Sequence, residues 1–149
     1  MSQVTFSAPV PGLVIRYSYL WHREALQGRD EGQKDRPCAI VAAVKAVQGG
    51  KVRVVVLPVT HSQPAEAGSA VEIPESVKRQ LGLDKDRCWV MASEWNEFLW
   101  PGPDLRRLPG ADDRSIAYGI IAPKFFGLLR AKFVANVQAG MAKAVRRTE

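Results

Sequence analysis

Two short stretches of this chain carry side chains suited to holding a phosphate and moving its protons. Glu31-Gly32-Gln33-Lys34-Asp35-Arg36-Pro37 is a dense polar segment that runs straight into the apolar residues Cys38 to Val41. Leu57-Pro58-Val59-Thr60-His61 ends a second apolar run with a hydroxyl and an imidazole. A guanidinium is a planar fork of donors that matches phosphate oxygens. A hydroxyl can donate a hydrogen bond to charge developing on such an oxygen, and imidazole exchanges protons near neutrality. These groups act together only if the fold joins them. If the two apolar runs are strands of one hairpin, Arg36 precedes one strand and Thr60 follows the other, so Arg36, Thr60 and His61 share a rim.

The surrounding pattern supports such a hairpin. Cys38 to Val47 is nearly all apolar and rich in β-branched residues, as a buried strand requires. Gly49-Gly50 supplies a tight turn, and Val52 to Val59 is the partner strand, expected to end or bulge at Pro58, which brings no N–H to a ladder. Leu13 to Tyr17 is a first strand after the Pro11-Gly12 turn. Ser18 to Lys34 is a long polar loop, of a length that is usually functional or mobile. Further strands are expected at Val71–Ile73, Cys88–Ser93 and Ser115–Ile121. Pro74 opens a short helix through Leu81 that Gly82 caps, and Trp100-Pro101-Gly102-Pro103 is a rigid turn. From Pro123 the period changes: Phe125, Phe126, Leu129, Phe133, Val137 and Met141 line one face of a C-terminal amphipathic helix. Short strands with tight turns, plus one long helix, predict a mainly β domain: a small barrel that the helix covers.

Composition narrows the classes. The 149 residues are the length of one domain, 1–149, with a core from about Pro11 to residue 142, and are 46% hydrophobic. No apolar run reaches the ~20 residues of a membrane helix. The first eleven residues lack the pattern of a secretory signal, so the expected location is cytoplasmic. Cys38 and Cys88 sit within apolar runs and are expected as buried thiols. Two cysteines and two histidines without ligand spacing predict no metal site, and no motif for a cofactor is present. The net charge is +6, and most of it lies beyond Pro123, where Lys124, Arg130, Lys132, Lys143, Arg146 and Arg147 face only Glu149. That basic tail, expected on the helix, is either a phosphate-attracting face or a solvated face favoured by the helix dipole.

The order of these motifs resembles the PemK/MazF family of toxins, the ribonuclease half of a toxin–antitoxin pair. The resemblance rests on the Arg36-Pro37 step, the Pro58-Val59-Thr60 strand end, Val71 to Pro74, the Gly82-Leu83-Asp84 turn and the strand ending in Ser93-Glu94; it spans Pro11 to Met141. It implies an SH3-like barrel, a homodimer, metal-independent cleavage of single-stranded RNA and a cognate antitoxin, with operator DNA reached only through the antitoxin complex. The family's catalytic arginine maps to Arg36 and its catalytic hydroxyl to Thr60. RNA of this kind is cut by its own 2′-hydroxyl, so the protein stabilises charge and manages two protons. His61 is the expected proton carrier. His22, Lys34 and Asn96 are expected along the RNA path, and Trp95 could stack on a base or pack against the domain or a second copy. Trp89 is expected in the core.

The chain also departs from the family. Leu13 follows Gly12 where an acidic residue is common, and Trp95-Asn96-Glu97 stands where many members carry a second arginine. Leu99 to Arg107 is an insert. The alternative function is therefore a non-catalytic barrel of the same kind that binds an antitoxin or nucleic acid without cutting it.

Overall fold

The apolar runs become strands whose two faces are both buried, which explains why they lack polar alternation. The structure, a computed structural model, describes residues 8–30, 32, 34–45, 49–110 and 115–147. In chain order these form β1 (Leu13–Tyr17), α1 (His22–Leu26), β2 (Arg36–Lys45), β3 (Val52–Thr60), β4 (Ala70–Glu72), α2 (Glu75–Leu81), β5 (Trp89–Met91), β6 (Glu94–Leu99), β7 (Ala117–Ile120), α3 (Pro123–Gln138) and β8 (Lys143–Arg146). The protein is mainly β. No helix among the described residues is long and apolar enough to cross a membrane.

The sheet runs β4-β5-β3-β2-β1-β7, with β6 on β3 and β8 on β6. All pairings are antiparallel except β6 with β8. One face holds Val14, Leu57, Val59, Ile73, Leu81, Val90, Phe125 and Leu129, covered by α2 and α3. The other face holds Ile15, Tyr17, Tyr19, Ile40, Val54, Val56 and Phe98. Neighbouring residues such as Val14 and Ile15 thus point into different cores. Tyr17 stacks on Phe98 with ring centres 4.7 Å apart.

The sheet does not close into the expected barrel. Strand β3 forks: Arg53 to Val56 pair with β6, whereas Val59 and Thr60 pair with β5. The change of neighbour falls across Leu57-Pro58, where Pro58 has no donor for either strand. Contrary to expectation, β3 neither ends nor bulges at Pro58; the register shift with β2 lies between Ile40 and Ala42, and Pro58 divides the other edge of β3. The outer edge of β6 is taken by β8, which leaves β4 and β7 as open ends of the path.

Other expectations change as well. Strand β2 begins at Arg36 and ends at Lys45; Val47 lies outside the described residues. The polar loop after β1 contains the single turn of α1, where the Glu24 carboxylate accepts the Trp21 backbone N–H at 3.0 Å. Strand β6 was not expected, because Asn96 occupies an inward position and interrupts the apolar alternation. The C-terminal helix is shorter than expected. It stops at Gln138, and Gly140, with φ of +72°, turns the chain back toward the sheet. Met141 is consequently exposed, and Lys143, Arg146 and Arg147 are not on the helix.

Arg147 is instead buried at 4% exposure. Its Nη1 donates to the Ser18 carbonyl and to Asn96 Oδ1 at 3.1 Å. Its Nη2 lies 3.2 Å from the Asp104 carboxylate and 3.3 Å from the Asp30 carbonyl. The guanidinium also lies 5.3 Å from the centre of the Tyr17 ring. Asn96 in turn accepts the Leu20 N–H at 2.9 Å and donates to the Leu20 carbonyl at 2.8 Å. Arg147→Ala should cost about 3–5 kcal/mol of folding stability, the scale for removing one partner of a buried ion pair. Urea denaturation of parent and variant measures it, and a loss under ~1 kcal/mol, the range of an exposed pair, would show that the pair carries little.

Candidate active site

Hairpin pairing of β2 with β3 brings the expected residues together. The register sets Cys38 opposite Pro58, two residues inside Arg36 and Thr60. Arg36 Nη1 donates to the Val59 carbonyl at 3.1 Å, directly beside Thr60. The guanidinium lies 4.9 Å from the Trp21 ring centre, and Arg23 lies 5.2 Å from the same ring. Trp21 thus serves as a shelf for both cations. Arg36 Nε is buried and has no hydrogen-bond partner among the described residues. Burial pulls the Arg36 guanidinium below the usual arginine value, and the charge of Arg23 acts in the same direction. Beneath it, Cys38 is fully buried, which pushes its thiol far above the ordinary range and leaves it inert as a nucleophile.

Two clefts adjoin at Arg36. One, of about 320 Å³, lies between the start of β2 and the Gly82–Cys88 loop, with Tyr118 in its wall. The other, of about 370 Å³, is bounded by Trp21, Glu24, Thr60 and Ser62. Lys34, Arg36 and His61 belong to both. The segment carrying Lys34 is held close to the residues that follow β1: a Cβ on Gly32 would collide with the Tyr19 carbonyl oxygen, so only glycine fits. Asp35 turns away toward Arg16 and Arg106, at 3.9 and 3.5 Å.

Thr60 is buried, and its Oγ1 accepts the Ser62 N–H at 3.1 Å, the turn bond that threonine often makes. Its hydroxyl proton has no acceptor among the described residues. His61 is half-exposed. Its Nδ1 is 3.1 Å from the Arg87 carbonyl, and its Nε2 is 3.2 Å from the Asp84 carboxylate. Both nitrogens face acceptors, and only a ring bearing both protons can donate to each. The loop that provides these acceptors is anchored from below. Lys78 of α2 is buried, and its ammonium donates to the Lys85 and Asp86 carbonyls at 3.1 and 3.0 Å. Gly82 makes the turn from α2 into this loop with φ of +69°.

Sequence reasoning expected no ligand cluster for a metal. The fold brings His61 near Asp84 and Asp86, with one ligand atom from each lying within 4.8 Å of the others. These are the described residues best placed to hold a cation. All three are exposed, and exposed acidic groups of this kind are common without an ion. The residues come from two separate loops, which is why no local spacing announced them.

The remaining expected residues do not join the Arg36 site. His22 opens onto a separate cleft, and its backbone N–H donates to Glu94. Asn96 is fully buried in the Arg147 network, so it has no surface to offer RNA. Trp95 packs edge-on against Phe133, with ring centres 5.4 Å apart. Strand β6 therefore adds no cation or stacking ring to the clefts. The Leu99–Arg107 insert is structural: Leu105 bridges Tyr17 and Asp104 meets Arg147. Trp89 lies in the interior, as expected. Trp21, Arg23, Asp84 and Lys78 are the site residues that sequence reasoning missed. Only a tryptophan placed beside a polar loop hinted at the first.

Lys78→Met keeps the aliphatic stem and removes the donor to the loop. It should destabilise the fold by about 1.5–3 kcal/mol, the range for hydrogen bonds to a charged group. It should also shift the His61 ring resonances in an NMR spectrum, because the Arg87 carbonyl and Asp84 lose their anchor. Unchanged His61 signals would show that the loop is held by other contacts. No protein-family model, no curated protein and no solved structure matches this chain.

Proposed function

We propose that this protein is a metal-independent endoribonuclease of the PemK/MazF toxin type, cutting single-stranded RNA in the cytoplasm as a homodimer and neutralised by a cognate antitoxin. Its sheet is then a variant of the SH3-like barrel of that family. One observation carries the reading: Arg36, Lys34 and His61 are common to two adjoining clefts, with the Thr60 hydroxyl in the wall of one. Such a ridge suits a phosphodiester whose flanking nucleotides occupy either side.

In the proposed reaction, the ribose 2′-hydroxyl attacks the adjacent phosphorus and the bond to the 5′-oxygen breaks. The products are a 2′,3′-cyclic phosphate and a new 5′-hydroxyl end. The 2′-hydroxyl proton passes to water in the open cleft. His61, placed between Arg87 and Asp84, acts in its doubly protonated form and gives one ring proton to the leaving 5′-oxygen. Arg36 and Thr60 donate to the phosphate oxygens as charge builds on them. Arg36 is already partly desolvated on Trp21, so its field there is screened less than it would be in water.

One observation favours a second reading, a non-catalytic domain that binds RNA or an antitoxin. The segment where the family often places a second arginine is here Trp95-Asn96-Glu97, in which Asn96 is buried. A working nuclease must do without that cation.

Single-turnover cleavage of a short RNA separates the two. Arg36→Ala should slow cleavage by about 100-fold or more, the cost of losing one preorganised donor, while RNA affinity falls much less. Thr60→Val should slow cleavage with nearly unchanged melting. If the parent binds RNA but never cuts it, the non-catalytic reading stands. Variants that melt normally and cut at the parent rate would place the chemistry elsewhere.

Chelator supplies a further check. Cleavage should persist in excess EDTA, and added zinc should only slow it, by drawing His61 toward Asp84 and Asp86. Activity abolished by EDTA and restored by a divalent cation would overturn the metal-independent mechanism.

A further inference from the structure

A third cleft, of about 530 Å³, lies between the loop of residues 65–69, the start of α1, the end of α3 and the first residues of β6 and β8. It is not isolated from the other two. Arg23 lines both it and the cleft that contains Thr60. Arg23 thus links the cleft of Lys34 and Arg36 to the cleft of Lys143, with the carboxylates of Glu24, Glu66 and Glu94 interspersed along the linings. The new cleft has apolar walls in Met91 and Met141, and Met141 is exposed at its rim. Methionine adapts its shape to flat apolar ligands.

Polar groups in the cleft are placed to read an edge. Both amide protons of Asn136 are committed, to the Gly68 and Ala92 carbonyls at 3.1 and 2.9 Å. Its orientation is thereby set, and its Oδ1 has no donor among the described residues. The Ser93 hydroxyl likewise has no partner among the described residues. One oxygen of the Glu94 carboxylate, Oε1, accepts the Tyr19 hydroxyl and the His22 N–H at 3.0 and 2.9 Å. A cleft of several hundred Å³ with methionine walls, convergent polar groups and cations in its lining is suited to a nucleotide.

We propose that this cleft is a nucleotide subsite, occupied by a residue of the same single strand that crosses Arg36. The base lies against Met91 and Met141, its edge meets Asn136 and Ser93, and Lys143 holds its phosphate. The inference rests on the RNA reading of the Arg36 site. It goes further by assigning a second, non-catalytic binding position on the far side of Arg23.

Equilibrium binding of a trinucleotide and a nonanucleotide, fluorescently labelled, tests it in the Arg36→Ala background, so that no strand is cut. The nonamer should bind roughly tenfold or more tightly than the trimer, through the phosphate held by Lys143 and the apolar contact of one base with Met91 and Met141. Adding Lys143→Glu should remove most of that gain, leave trimer binding unchanged, and flatten the salt dependence for the nonamer by about 0.7 in the log–log slope, one phosphate contact fewer. Lys143 is exposed and its backbone bond to Ser93 is unaffected, so the variant should fold; thermal melting checks this. A nonamer bound no more tightly than a trimer would overturn the subsite and leave the cleft to another occupant, such as a protein segment. So would a Lys143→Glu variant that keeps the full length dependence. Failure of the nuclease reading shows separately, as a parent protein that binds RNA with this length dependence and leaves it uncut.

Discussion

A guanidinium removed from water must be met by acceptors on several sides, and Arg147 finds them in four separate parts of the chain. Its partners are Ser18 after β1, Asp30 after α1, Asn96 in β6 and Asp104 in the insert. They fall in two stretches, one from Ser18 to Asp30 and one from Asn96 to Asp104, both far from Arg147 in sequence. The cost of burying the charge can be met only when all of them are in place. The parallel pairing of β8 with β6 follows, because Arg147 reaches the interior only if the strand before it lies along β6. So does the path of the residues between Ser18 and Asp30, which includes Trp21.

That path is what connects the anchor to the candidate site. Trp21 is positioned between the Leu20 backbone, held by Asn96, and the Glu24 cap of α1. On it rests Arg36. The position of the cation most suited to phosphate thus depends on a buried network on the other side of the Ser18–Leu20 segment. The second support is the fork of β3 at Pro58. By handing the end of β3 to β5, it sets Thr60 and His61 opposite the loop that α2 launches. The site is a meeting of two independently supported pieces, one from the Arg147 network and one from α2 and Lys78.

The electrostatics of the two pieces differ in kind. Arg36 is half-buried on an aromatic ring, so its charge acts through a medium of low polarisability. His61 and Asp84 are exposed, so their interaction is weakened by water and salt. A phosphodiester on the ridge would thus meet a strong fixed charge on one side and a proton-exchanging group in contact with solvent on the other. The same exposure allows His61 to be shared with Asp84 and Asp86, and this is the feature by which divalent cations could compete with proton transfer.

Local pattern alone was enough for the hairpin of β2 and β3, the first strand, the cap at Gly82 and the start of α3. Each of these is decided by short-range chemistry: β-branched runs, a proline at a helix start, a glycine at a positive φ. The approach of Arg36 to Thr60 was legible for the same reason, because hairpin geometry converts strand ends into neighbours. Strand β6, strand β8 and the open sheet were not legible. Asn96 breaks the apolar alternation that marks a buried strand, and its inward position makes sense only beside Arg147. Arg147 itself looked like one more cation of a basic tail, because a buried charge differs from a solvated one only by its partners, and these lie 43 to 129 positions away. Trp21, Asp84 and Lys78 were hidden likewise: each acts through a contact made in space, which no spacing along the chain encodes.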